Sequence, residues 1–130
     1  MLKVDYAALA DYATDRGGAV TACGLGINQL TVAQVPTTHP QLFLVAQLRD
    51  EDVSRERRSV HVRLEDPNGI SLSELKGAIQ FTAIGPRQAV ARIVLGFYSV
   101  QFPAYGDYRF SVQIEQEELI SLVFTVSRPD

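Results

Sequence analysis

From Phe102 to Val126 the chain reads FPAYGDYRFSVQIEQEELISLVFTV. Tyr108, Phe110, Val112 and Ile114 alternate with Asp107, Arg109, Ser111, Gln113 and Glu115. After a short acidic turn near Gln116 and Glu117, the same beat resumes with Ile120, Leu122, Phe124 and Val126. Successive side chains of a strand point to opposite faces, so this pattern predicts a hairpin with one dry and one wet face. Pro103 lacks a backbone donor and should end the preceding strand, while Gly106 permits the bend into Asp107.

Earlier segments follow the same logic with less contrast. Val4, Tyr6 and Ala8 alternate as in a strand, whereas Leu2, Tyr6, Leu9 and Ala13 also lie at helical spacing. A strand is favoured, because Thr14 to Gly18 forms a turn and a second β-like run covers Ala19 to Val32, with Gly24 and Gly26 marking a bulge or close backbone approach. Pro36 to Pro40 reads as a stiff connection. In Gln41 to Arg49, Leu42, Leu44, Ala46 and Leu48 share one face and Phe43 and Val45 the other, so this strand should be central and covered on both sides.

Asp50 to Arg58 (DEDVSRERR) reads as a mixed-charge, solvated hairpin tip. Val60, Val62 and Leu64 alternate with His61, Arg63 and Glu65, and Asp66-Pro67-Asn68-Gly69 is the clearest turn in the chain. Ile70 to Lys76 looks irregular, a candidate short crossover. Ile79, Phe81 and Ala83 then alternate with Gln80 and Thr82, and Gly85-Pro86 breaks the chain. A long run from Gln88 to Phe102 carries Ala91, Ile93, Leu95 and Phe97 on one side, with Gly96 as a point for a kink. These elements predict about eight strands and no long helix. The expectation is one all-β domain over residues 1–130, an antiparallel β-sandwich of immunoglobulin-like or C2-like type.

The spacing Gly106-Asp107-Tyr108-Arg109-Phe110 resembles the tyrosine corner of immunoglobulin-like sandwiches, in which the hydroxyl bonds back to the upstream backbone. Phe110 stands where those domains carry the second disulfide cysteine. More widely, VDYAALADYA, THPQLFLVAQL, VRLEDPNG and FPAYGDYRFSV together resemble a family of small bacterial proteins known as a domain of unknown function. That resemblance spans nearly the whole chain. EQEE departs from it, standing where an Asp-Gly or Asn-Gly turn is expected. The family carries no assigned activity, so the resemblance implies no catalytic residue.

Composition narrows the function classes. With 130 residues and 46% hydrophobic side chains, the chain can build one packed core. A net charge of -3 and a pI near 5.3 argue against nucleic-acid and anionic-membrane partners, which need concentrated basic surface. Cys23 is alone, so no intramolecular disulfide forms and a reducing compartment is expected. Asp5 and Asp11 interrupt the apolar N-terminal run, which is therefore not a secretory signal. No segment reaches the ~18 apolar residues of a membrane span. The expected location is cytoplasmic.

Candidate chemistry is sparse. His39 and His61 lie apart, no G-x-S-x-G elbow is present, and Cys23 sits in an apolar, glycine-containing run that suits a buried structural thiol. One Cys and two separated His make no zinc cluster. Asp50, Glu51, Asp52, Asp66 and Asn68 lie on candidate loops and have the oxygen ligands calcium prefers, although Arg55, Arg57 and Arg58 would partly neutralise them. GLGINQ lacks the third glycine of a dinucleotide loop, and no G-K-[ST] follows. Tyr98, Phe102 and Tyr105 cluster near the final turn, where core and corner packing is favoured over a recognition patch. No catalytic residue, metal site or cofactor is assigned, and no enzyme is expected. The expected role is a non-catalytic binding or scaffolding module acting through a sheet face or edge strand. Gln41 to Arg49 is the candidate interface, toward a protein partner or a second copy. The alternative is a ligand or calcium sensor built on the acidic loops.

Overall fold

The computed structural model describes residues 1–130 and is built from strands alone. In chain order these are β1 (Lys3–Ala10), β2 (Tyr12–Asp15), β3 (Val20–Cys23), β4 (Gln29–Thr31), β5 (Thr37–Asp50), β6 (Arg57–Glu65), β7 (Ser71–Gln80), β8 (Thr82–Gly85), β9 (Gln88–Phe102), β10 (Gly106–Ile114) and β11 (Glu117–Ser127). A front sheet has the order β1-β5-β9-β8, and a back sheet the order β4-β11-β10-β6-β7. A small hairpin, β2-β3, stands apart from both. All pairings are antiparallel except that of β4 with β11.

The two sheets share one apolar cluster. Leu42, Leu44, Ala46 and Leu48 of β5 and Ala91 and Ile93 of β9 meet Val62, Leu64, Phe110, Val112, Ile114, Ile120, Phe124 and Val126 of the back sheet. Each fully buried Leu or Phe contributes about 1.5–3 kcal/mol. Phe102, Tyr108, Phe110 and Phe124 pack ring against ring at 5.1–5.9 Å. Tyr108 is fully buried, yet its hydroxyl donates to the Ala104 carbonyl at 2.7 Å, so the upstream hydrogen bond anticipated from GDYRF is formed. Burial pushes its phenol up, against the opposing effect of the Ala104 amide, which donates to the Tyr108 oxygen at 3.2 Å.

β5 is covered on both faces, as its sequence predicts, but the outer cover is internal. Phe43 and Val45 pack with Ala10 and Ala13 beneath the β2-β3 hairpin, together with Val20 and Ala22. This face is therefore unavailable for the interface expected of Gln41 to Arg49.

Other expectations change in detail. Eleven strands appear instead of about eight, because Leu2–Ala13 and Ala19–Val32 each divide in two and residues 71–85 form two strands where one was expected. The close approach expected at Gly24 is present: a Cβ there would lie 2.5 Å from Asp11 Oδ2, at φ +64°. Thr37 to Pro40 opens β5 and is not a connection. Pro40 is tolerated because β1 pairs with β5 only from Phe43 onward, so its missing donor would face an unpaired edge. Ile70 to Lys76 is mostly β7, an edge strand exposed from Glu74 to Lys76 and only half-buried at Leu72 and Ser73, which is why alternation fails there. Asp50 to Arg58 is no hairpin tip, since it carries the chain from the front sheet to the back. The return crossing, between β7 and β8, is plugged by buried Phe81 with the Arg58 guanidinium 4.2 Å from its ring centre. Gly96 makes room for a ring, not a kink: a Cβ there would lie 2.8 Å from Phe43 Cζ. The break in alternation falls at Ser99, φ 54°, after which Val100 and Phe102 are the inward residues.

Candidate functional site

The loop carboxylates are already engaged inside the fold. Asp50 ends β5 and meets Arg58 Nη1 at 2.5 Å, with side chains only 8% and 4% exposed. Its Oδ1 also accepts from the Asp52 amide and the Met1 amino group. Burial opposes ionisation of Asp50, but these hydrogen bonds outweigh it and hold the carboxyl well below the usual range. Asp52 accepts from the Ser54 amide and hydroxyl at 3.0 and 2.6 Å. Asp66 Oδ1 accepts from the amides of Asn68 and Ile70, both at 2.9 Å, and so shapes its own turn. Glu51 is exposed, and no three His, Cys, Asp or Glu side chains converge into a ligand set. The five residues considered for calcium are thus not brought together.

The remaining candidates disperse too. Cys23 is exposed at the end of β3, because its strand belongs to the hairpin outside the core. His61 Nε2 bonds Glu74 Oε1 across β6 and β7, and His39 stacks on Phe102 at 5.7 Å. Of the aromatic trio, Phe102 is fully buried, and the Tyr105 hydroxyl donates to the Val32 carbonyl. Tyr98 stands 65% exposed on the outer front face beside Phe43.

What the structure does present is an open strand edge. Fifteen-residue β9 pairs with β5 from Ala89 to Phe102. On its other side, four-residue β8 reaches only Gln88, Ala89 and Val90. The edge from Ala91 to Phe102 carries no strand. In an antiparallel strand, alternate residues direct N–H and C=O to the same side, so every second peptide group of this stretch faces outward. The left-handed Ser99 limits the regular part to Ala91–Tyr98.

Opposite lies β7, an edge strand of the back sheet. Between them opens a cleft of about 250 Å³, floored by Val60, Leu75, Ile79, Ile93 and Leu95 and rimmed by Lys76 and Arg92. A second hollow of about 520 Å³ continues past Leu64, Leu72 and Phe97. Leu75 is 43% exposed here, and Leu95 and Phe97 are half-buried. Chemically, this arrangement offers peptide hydrogen bonds above an apolar trough. Neither the edge nor Arg92 stood out in the sequence. The available signal was the mismatch between the short run before Gly85-Pro86 and the long one after it.

No helix is long and apolar enough to cross a membrane. No curated protein matches the chain. Among solved structures, it is similar to part of a beta-glucosidase from Listeria innocua, with 12% identity and a TM-score of 0.48. That match covers 98% of this chain and 16% of the larger protein, so the chain spans about a sixth of that relative. A family model matches residues 5–127, and the chain belongs to DUF6941, a family of unknown function.

Proposed function

We propose that this chain is a non-catalytic binding module, an immunoglobulin-like β-sandwich whose open edge takes up an extended segment of a partner protein as an added strand. The observation that carries this reading is the unpaired edge of β9 over Ala91–Tyr98, lying above an apolar cleft. The other edges are blunted in the ways proteins use to prevent pairing. β1 has an irregularity between Val4 and Tyr6, β4 and β8 are three and four residues long, and β7 displays Glu74 and Lys76. Strand addition obtains affinity from main-chain hydrogen bonds and selectivity from alternate side chains. A lone exposed thiol suits a reducing, cytoplasmic setting for such a module.

Selection from a displayed library of ten-residue peptides tests the reading, with amide exchange measured on the resulting complexes. Binders should alternate apolar residues and slow exchange at Ala91–Tyr98, and Leu95→Lys should abolish their binding. Binders that protect another surface, or a selection without binders, would overturn it. Light scattering on the free chain distinguishes a second copy from a foreign partner, since β9-to-β9 pairing would double the mass.

A further inference from the structure

We infer that the strand taken up at this edge is antiparallel to β9, carries an acidic residue opposite Arg92, and presents apolar side chains toward Ile93 and Leu95. The inference rests on the open-edge reading and adds the chemistry of the occupant.

Arg92 pairs with Gln47 of β5, and on its far side no strand follows. Its guanidinium forms none of the chain's ion pairs. Neighbouring Arg49, by contrast, is held by Asp5 at 3.1 Å and by Gln88 at 2.8 Å. Arg92 also borders a polar cavity of about 600 Å³ beneath the β2-β3 tip, lined by Gly17 and Gly18. Asp15 lines that cavity as well, but its Oδ1 accepts from the Gly17 amide and it forms no ion pair with Arg92. Lys76, on the opposite rim of the apolar cleft, is exposed and likewise outside every ion pair. The edge therefore has an unneutralised cation on each rim, and an acidic side chain is its complement.

Side-chain alternation supplies the rest of the pattern. Directly opposed residues of an antiparallel pair lie with Cβ atoms about 4.5–5.5 Å apart. Arg92, Val94, Gly96 and Tyr98 belong to the outer face, whereas Ile93, Leu95 and Phe97 belong to the cleft. A strand running antiparallel to β9 thus meets Tyr98 first and Arg92 last, placing its acid toward its C-terminal end. Gly96 leaves the Tyr98 ring, which packs edge-on against buried Phe43, exposed to an incoming aromatic residue. The front sheet is antiparallel throughout, and antiparallel pairing is the more stable per residue.

The probe is a fluorescein-labelled, C-amidated peptide, Ser-Val-Tyr-Val-Thr-Val-Asp-Ser, with versions carrying Asn or Lys in place of Asp. Each is titrated by anisotropy against the wild-type chain and against Arg92→Glu, with amide exchange followed on the complexes. The Asp peptide should bind the wild type about tenfold more tightly than the Lys peptide, with Asn between them, and Arg92→Glu should invert that order. Raising salt should compress the differences. Equal binding of all three peptides to both proteins, with exchange slowed at Ala91–Tyr98, would overturn the acidic preference and leave the open edge standing. If no peptide slows exchange there, both fall together.

Discussion

β5 and β9 are neighbours in the front sheet, 14 and 15 residues long, and both carry a long apolar run. From Phe43 to Arg49, β5 is enclosed on every side: β1 and β9 flank it, the core lies beneath, and the β2-β3 hairpin covers Phe43 and Val45. β9 shares the sheet and the core but has lost a partner beyond Val90. The difference teaches that hydrophobic alternation reports which face of a strand is buried. It says nothing about whether the edges are paired, because edge pairing depends on the length of a neighbour elsewhere in the chain.

Hydrogen exchange should separate the two strands most sharply. Amides of Leu42–Leu48 should all exchange slowly, many of them only through global opening, whereas amides of Ala91–Tyr98 should alternate between slow and fast. Because local opening free energies run from near zero to the global value, alternate residues of β9 should differ by several orders of magnitude in rate. Uniform protection along β9 would remove the contrast and the open edge with it.

The next effect concerns the locked end of β5. Asp50→Ala strands the buried Arg58 guanidinium and should cost about 3–5 kcal/mol by urea denaturation at neutral pH. Asp50 has a lowered pKa in the folded chain and an ordinary one near 3.9 when unfolded. Its stabilising contribution is therefore full above about pH 5 and fades as pH falls through the folded pKa. Asp50→Asn should flatten the stability profile in that acid window.

Leu44 and Leu95 face each other across β5 and β9, so truncating each makes a matched test. Leu44→Ala should cost about 2–5 kcal/mol, as expected for a fully buried leucine. Leu95→Ala, at the half-open cleft, should cost less than half as much. Similar losses would show that the cleft is closed in solution. The smallest change should be Gln116→Gly in the β10-β11 turn. Glu115 and Gln116 both have positive φ, at 52° and 72°, in a two-residue turn that favours Asn and Gly. Relieving the strain at Gln116 should gain about 0.5 kcal/mol, after the added chain entropy of glycine is deducted. Thermal unfolding would resolve it.

Legibility in the sequence followed this division between faces and edges. β6, β10 and β11 were readable because each buries one face, and Asp66 to Gly69 was readable because its turn chemistry is local. β7 was missed because an exposed edge strand need not alternate. Cys23 was expected inside, but apolar neighbours in sequence cannot reveal that β3 lies in an outlying hairpin. The acidic loops looked free because the partner of Asp50 sits in the next strand, where Arg58 had been assigned to the same solvated loop. The open edge is a relation between two strand lengths, and a window moved along the chain does not register it.

The parallel contact between β4 and β11 has a consequence for the making of the protein. Gln29 and Ser127, 98 positions apart, bond side chain to side chain, and Val32 donates to the Ser127 carbonyl at 2.9 Å. At about 5–20 residues per second, the ribosome needs roughly 5–20 s to bridge that separation. During that interval β4 has nothing to pair with, and the back sheet lacks the strand that brings Ile120, Phe124 and Val126 into the core. The nascent chain must wait with its apolar strands uncovered. Its fold closes only once β11 has been made, which leaves a long exposure to chaperones and to neighbouring nascent chains.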